Sequence, residues 1–258
     1  GITLLESSLE TDNILAQNLI SKCLSHSGNS IRVGITGVPG VGKSTFIETF
    51  GKLLTQNGHK VAVLAIDPTS EKTHGSILGD KSRMHQLSVD ENAFIRPSPS
   101  SGTLGGIASK TKDSIVLCET AGFDIILIET VGVGQSETTV SNICDFFLLL
   151  MLAGAGDELQ GIKRGIMELA DMLVITKADG DNIQKSEIAK QEYHRALHLF
   201  PAMVNGWTPK VAFCSSLENT GITEIWDTIK NYNSQMTSSN WKSENRKRQN
   251  IYWLHHTI

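Results

Sequence analysis

Short, almost wholly apolar runs alternate with segments of helical periodicity along most of this 258-residue chain. The apolar runs cover residues 31–36, 61–66, 124–129, 145–151, 172–176 and 210–214. Phe123-Asp124-Ile125-Ile126-Leu127-Ile128 hardly alternates in polarity, which predicts strands covered on both faces and a mostly parallel sheet. Strands alternating with helices predict a three-layer, doubly wound α/β fold with ligands at the carboxyl ends of its strands. Leu9, Ile14, Leu15, Leu19 and Ile20 recur at helical spacing, so residues 8–25 are expected to form an amphipathic helix. Residues 97–106 are too rich in Pro, Ser and Gly for a regular element and predict a loop leading into a helix from about Ile107. A helix from Gly221 to about Asn231 is expected to close the domain. Residues 233–240 then read as a linker, and a helix with Trp253 and Leu254 as a projecting arm. The expected organisation is a helical extension over 1–28, an α/β domain over 29–232 and an arm over 233–258.

One turn carries specific chemistry. Gly37-Val38-Pro39-Gly40-Val41-Gly42-Lys43-Ser44 stands between a predicted strand and a helix that opens with Thr45. Strand, glycine-rich turn and helix N-terminus aim backbone N–H groups and a helix dipole at one spot, which suits a polyanion. Gly37, Gly40 and Gly42 permit the tight turn, Lys43 would bridge the β- and γ-phosphates, and the Ser44 hydroxyl would bind Mg²⁺. A nucleoside triphosphate is the ligand this pattern predicts.

Three further segments sit at predicted strand ends. Glu129-Thr130-Val131-Gly132 places an acid three residues before a glycine, a spacing that in GTPases holds the metal's water shell and the γ-phosphate in a switch. Asp67 and Asp80 add acids at the same edge, as a hard cation with several oxygen ligands wants. Gln135 is a candidate water-positioner. Thr176-Lys177-Ala178-Asp179 is a TKxD form of the NKxD element: an Asp carboxylate accepts from guanine N1–H and the 2-amino group together, whereas adenine would leave it unsatisfied. Lys177 would lie along the purine face, and Thr176 has one hydroxyl where Asn has an amide, so one loop-tethering contact is expected to be lost. Ser215-Ser216-Leu217 ends the next strand and resembles a loop whose backbone contacts guanine O6.

Composition narrows the classes. Apolar content of 40% and charged content of 19% are ordinary for a globular protein, and a net charge of −4 argues against nucleic acid as partner. Lys242, Arg246, Lys247 and Arg248 form one basic cluster, expected to be a solvated helix face. No apolar run reaches the roughly 18 residues a membrane span needs. Cys23, Cys118, Cys144 and Cys214 lack CxxC spacing, which predicts a reducing compartment, cytoplasmic, with thiols serving as small hydrophobes. A nickel- or cobalt-inserting chaperone would want clustered Cys or His, and the spacing offers neither. His255 and His256, adjacent on a helix, point in different directions and are expected to be solvated or at an interface.

Several segments taken in order resemble one family. They are Ala65-Ile66-Asp67-Pro68-Thr69-Ser70, residues 75–84, Phe94-Ile95-Arg96-Pro97-Ser98-Pro99, residues 129–137 and residues 155–165. The series resembles the MeaB/ArgK family, which includes the methylmalonic aciduria type A protein, over nearly the whole chain. The resemblance implies a SIMIBI-class P-loop GTPase that works with Mg²⁺ as a homodimer through its arm. Its partner would be an adenosylcobalamin-dependent acyl-CoA mutase, typically methylmalonyl-CoA mutase, served as by a chaperone. It also implies phosphate and metal roles for Lys43, Ser44, Thr45, Asp67, Asp80 and Glu129, and guanine reading by Lys177 and Asp179. Residues 156–165 would be an additional switch that meets the mutase, and a eukaryotic member would work in the mitochondrial matrix. Family members commonly have more chain at both ends, so parts of an extension and of the arm are expected to lie outside these residues. The alternative is an ATP-dependent kinase or ATPase serving basic amino-acid transport, a label this family has carried.

Overall fold

The structure is a computed structural model that describes residues 1–7, 9–66, 84–96, 104–130, 136–154 and 164–256. Within them the strands are β1 (Ile31–Gly37), β2 (Val61–Ile66), β3 (Ala93–Arg96), β4 (Ile125–Thr130), β5 (Phe146–Leu152), β6 (Met172–Thr176) and β7 (Lys210–Phe213). They form one sheet in the order β3-β2-β4-β1-β5-β6-β7, each pairing parallel. Six of these strands coincide closely with the apolar runs. The four-residue β3 was not foreseen: at the sheet edge it needs one paired side only and carries no long apolar run.

Alternate residues of the central strands feed two cores. Val33, Ile35, Phe146, Leu148 and Leu150 pack on one face, and Ile126, Ile128, Phe147, Leu149 and Met151 on the other. Helices α1 (Ile2–Leu5), α2 (Glu10–Cys23), α3 (Lys43–Gln56), α4 (His85–Ser88), α5 (Leu104–Thr120) and α6 (Ser136–Ser141) come from the first half. Helices α7 (Arg164–Leu169), α8 (Ile183–Leu197), α9 (Ile222–Ser238) and α10 (Trp241–His256) complete the set among the described residues. Phe46, Ile47, Phe50 and Leu54 form the buried stripe of α3, and complete burial stabilises by about 1.5–3 kcal/mol for each such side chain. Gly51 lets α4 pack closely on that helix: a Cβ there would stand 2.6 Å from a terminal methyl of Leu87, which would have to shift.

Four expectations change. Helix α2 forms, but Leu9, Ile14 and Leu15 are 62%, 57% and 56% exposed. The buried positions are Ala16 and Cys23, with Leu19 and Ile20 half-buried, a narrower stripe than the apolar count suggested. Residues 233–238 are not a linker: α9 continues to Ser238, because Tyr232 and Met236 stay on its buried face, and the chain turns at Asn240 with φ +61°.

Nor does α10 project. It crosses the amino edge of the sheet, with Trp241 against one core and Trp253 in the other. Arg246 donates to both Asp145 carboxylate oxygens at 2.7 and 2.6 Å, and Lys242 donates to the Ser30 carbonyl at 3.1 Å. Burial opposes charge on Asp145, but the bonds and charges of Arg246, aided by Lys242 and Arg32, hold its carboxyl below the usual range. The expected solvated face is thus correct only for Lys247 and Arg248, the latter 4.1 Å from the Trp241 ring centre. A buried acid at the start of β5 attracts Lys242 and Arg246, and no local pattern announces it.

Candidate nucleotide-binding site

The central strand β1 lies between β4 and β5, and the glycine loop follows its carboxyl end. Gly37 cannot carry a side chain: a Cβ would meet the Leu150 carbonyl oxygen at 2.5 Å. Gly42, at φ +94°, caps α3 in the left-handed region, so the helix starts at Lys43 with its first N–H groups facing the loop. The Lys43 ammonium reaches the Gly37 and Val38 carbonyls at 2.8 and 3.3 Å, which holds the cation in the mouth of the turn. Val41 is fully buried and pins the loop from below, while Pro39, Gly40 and Thr45 are exposed.

Glu129 stands one residue before the end of β4, in register with Ile35 of β1, and is 9% exposed. The Ser44 hydroxyl donates to its carboxylate at 3.3 Å. A hydroxyl and a carboxylate, both hard oxygen donors side by side at a strand end, fit Mg²⁺. Asp67, Asp80, Gly132 and Gln135 lie outside the described residues, as does most of the 156–165 segment.

The base-reading half folds onto the same loop. Thr176, 4% exposed at the end of β6, lies 2.6 Å from the Val41 carbonyl and 3.2 Å from that of Met151. Its single proton can serve one of these two carbonyls, so a tether to the loop is kept while a second donor, which an amide would have, is missing. Lys177 adopts φ +58°, and its ammonium donates to the Gly40 carbonyl at 2.8 Å, so its stem lies across the turn. Asp179 accepts from the Ser215 hydroxyl at 2.6 Å. That bond orients the carboxylate and leaves further lone pairs for a two-donor ligand edge. The Ser215–Thr220 loop is closed by a small antiparallel bridge, with Ser216 half-buried and Leu217 78% exposed.

Thr49 of α3 donates to the Ser216 carbonyl at 3.2 Å, a contact sequence reasoning missed because no motif marks it. Thr36 and Thr130, buried at neighbouring strand ends, share a hydroxyl bond of 2.7 Å and were likewise unmarked. Burial pushes the Cys118 and Cys214 thiols up to about 12, in line with packing rather than reactive roles.

A family model described as methylmalonyl Co-A mutase-associated GTPase MeaB matches residues 1–258. The chain belongs to the MeaB family of GTPases. GTPase ArgK of Escherichia coli is 49% identical over 254 residues, spanning 98% of this chain and 77% of that protein. The mitochondrial methylmalonic aciduria type A homolog of Mus musculus is 50% identical over 268 residues, spanning 100% of this chain and 65% of that one. A crystal structure of a LAO/AO transport system kinase has a TM-score of 0.85 at 41% identity, covering 99% of this chain and 76% of that chain. As a MeaB-family member the chain is a P-loop GTPase that hydrolyses GTP. No helix of the described residues is long and apolar enough to cross a membrane.

Proposed function

We propose that this MeaB-family GTPase is a G-protein chaperone, coupling GTP binding and hydrolysis to cofactor loading and protection of an adenosylcobalamin-dependent acyl-CoA mutase. Methylmalonyl-CoA mutase is the partner we assign, and a homodimer the working form, in the cytoplasm or, in a eukaryote, the mitochondrial matrix. The match of the whole chain to a family described by that mutase carries the reading. The site supports it from the chemical side. Phosphoryl transfer needs charge neutralisation and an aligned water more than covalent chemistry. Lys43 and the α3 N-terminus supply positive potential at the phosphates, and Asp179, set by Ser215, presents acceptors to guanine N1–H and its 2-amino group. Ser44 and Glu129 would hold Mg²⁺, with Asp67 and Asp80 proposed to complete its acidic surroundings; the ion when bound neutralises phosphate charge. Gly132 and Gln135 are proposed to meet the γ-phosphate and the attacking water.

The transport-kinase label of the similar crystal structure raises an ATP reading. Against adenine, Asp179 would face an N1 acceptor and a C–H, so the carboxylate would keep its Ser215 bond but gain no donor from the base, at a cost of about 1–3 kcal/mol. Single-turnover hydrolysis with and without methylmalonyl-CoA mutase tests the proposal. Slow intrinsic turnover that the mutase accelerates supports it, whereas equal rates together with no co-elution in any nucleotide state would remove it.

A further inference from the structure

We propose that Thr49 is a positioning residue for base recognition, fixing the height and orientation of the loop that reads guanine O6. The inference rests on the guanine reading given above and goes beyond it to a residue outside every nucleotide motif. Thr49 stands six residues after Lys43 on α3. A helical Ser or Thr commonly turns its hydroxyl back to the carbonyl of residue i−4. Ser114, Thr120 and Thr228 do so here, bonding Lys110, Val116 and Glu224 at 2.8 Å each. Thr49 instead reaches across to the Ser216 carbonyl at 3.2 Å.

Among the described residues, the other hydrogen bonds that anchor the loop it meets lie at its two ends. Ser215 and Thr220 exchange backbone bonds of 3.0 and 3.1 Å, and the Ser215 hydroxyl holds Asp179. At the trailing end Gly221, at φ +75°, sits so close that a Cβ would be 2.4 Å from the Phe213 carbonyl oxygen. Between these ends, among the described residues, no other hydrogen bond joins Ser216 through Asn219 to an element outside the loop. The peptide is planar and trans, so holding the Ser216 carbonyl also fixes the direction of the Leu217 N–H on its opposite edge. The other end of the tie is rigid: Phe46 and Phe50 stack at 5.4 Å under the same helix. One helix thereby sets the distance between the phosphate grip and the O6-reading backbone.

The test compares Thr49→Val, which removes the hydroxyl at constant shape, with Thr49→Ser, which keeps it. The ligands are GDP, IDP (without the 2-amino group) and 2-aminopurine riboside diphosphate (without O6 and, with it, the N1 proton), titrated by calorimetry. The expected result is a loss of about five- to tenfold for GDP and IDP alike with Thr49→Val. The 2-aminopurine nucleotide should be unchanged, the Ser variant should return to within about twofold, and KM for GTP should rise with kcat held. Equal weakening of all three nucleotides, or of none, overturns the proposal. If the wild-type protein itself does not prefer GDP to the 2-aminopurine nucleotide, the O6 reading fails before Thr49 is judged. Should the Val variant not fold, Thr49→Ala takes its place in the same comparison.

Discussion

At Thr176 a single hydroxyl proton joins β6 to the phosphate loop, 2.6 Å from the Val41 carbonyl in a position only 4% exposed. Removing it leaves a buried carbonyl without its donor, which costs about 1–3 kcal/mol. Thr176→Val is therefore expected to weaken GTP binding by roughly fivefold or more, measured by calorimetry, and Thr176→Asn to keep it. Lys43 acts on charge: Lys43→Ala should lower kcat for GTP by about a hundredfold or more in a steady-state phosphate-release assay. The turn that would carry this role was legible because a phosphate-binding loop demands fixed residue types at fixed spacing. At Thr176 donor count was the legible part: one hydroxyl proton faces two carbonyls, whereas which of them it would tether depended on the fold. Thr49 escaped notice for a related reason: its partner is a backbone carbonyl, 167 residues away, and carbonyls carry no sequence signal.

Helix α10 shows what one element gains from a buried acid. Arg246 bonds Asp145 through two nitrogens, Gln249 donates to the Cys144 carbonyl at 2.7 Å, and the Trp253 indole N–H to that of Asn142 at 3.0 Å. These partners belong to the turn between α6 and β5. Arg246→Ala would take both guanidinium bonds from a buried carboxylate, leaving it the Arg32 N–H and Lys242 at 4.0 Å, and is expected to destabilise by about 3 kcal/mol in urea unfolding. Lys230→Ala, which breaks an exposed pair with Asp227, should change stability by less than about 1 kcal/mol. Asp171, at the edge of β6, gives a pH signature. Burial raises its pKa from 3.8 to about 7, against the opposing bonds of Phe147 N–H and Tyr232 and with help from the Asp145 charge. The folded protein then binds a proton that the unfolded chain has released, so stability falls as pH rises from about 4 to about 7 and levels off above. Asp171→Asn, which keeps an acceptor for Phe147, should flatten that fall and be the more stable protein at pH 8, read from melting curves between pH 4 and pH 8.

At the scale of the whole molecule, the sheet order places the glycine turn after the central strand and the loops of Asp179 and Ser215 after β6 and β7, so that one edge gathers the segments proposed to hold both ends of a nucleotide. This much followed from the chain, since continuous apolar runs specify a sheet buried on both faces. The opposite edge did not. Its clamp joins Arg246 to Asp145 and Lys242 to Ser30, pairs far apart in sequence whose meeting depends on the finished fold. On the proposed reading, the carboxyl edge selects guanine through Asp179 while Lys43 grips the phosphates. Calorimetry of GTP, ATP and xanthosine triphosphate against the wild-type protein and Asp179→Asn tests it most directly. The wild type should prefer GTP, and the amide, which can donate to a 2-oxo group, should shift the preference to xanthosine triphosphate. ATP binding as tightly as GTP, or an Asp179→Asn protein with unchanged selectivity, would contradict it.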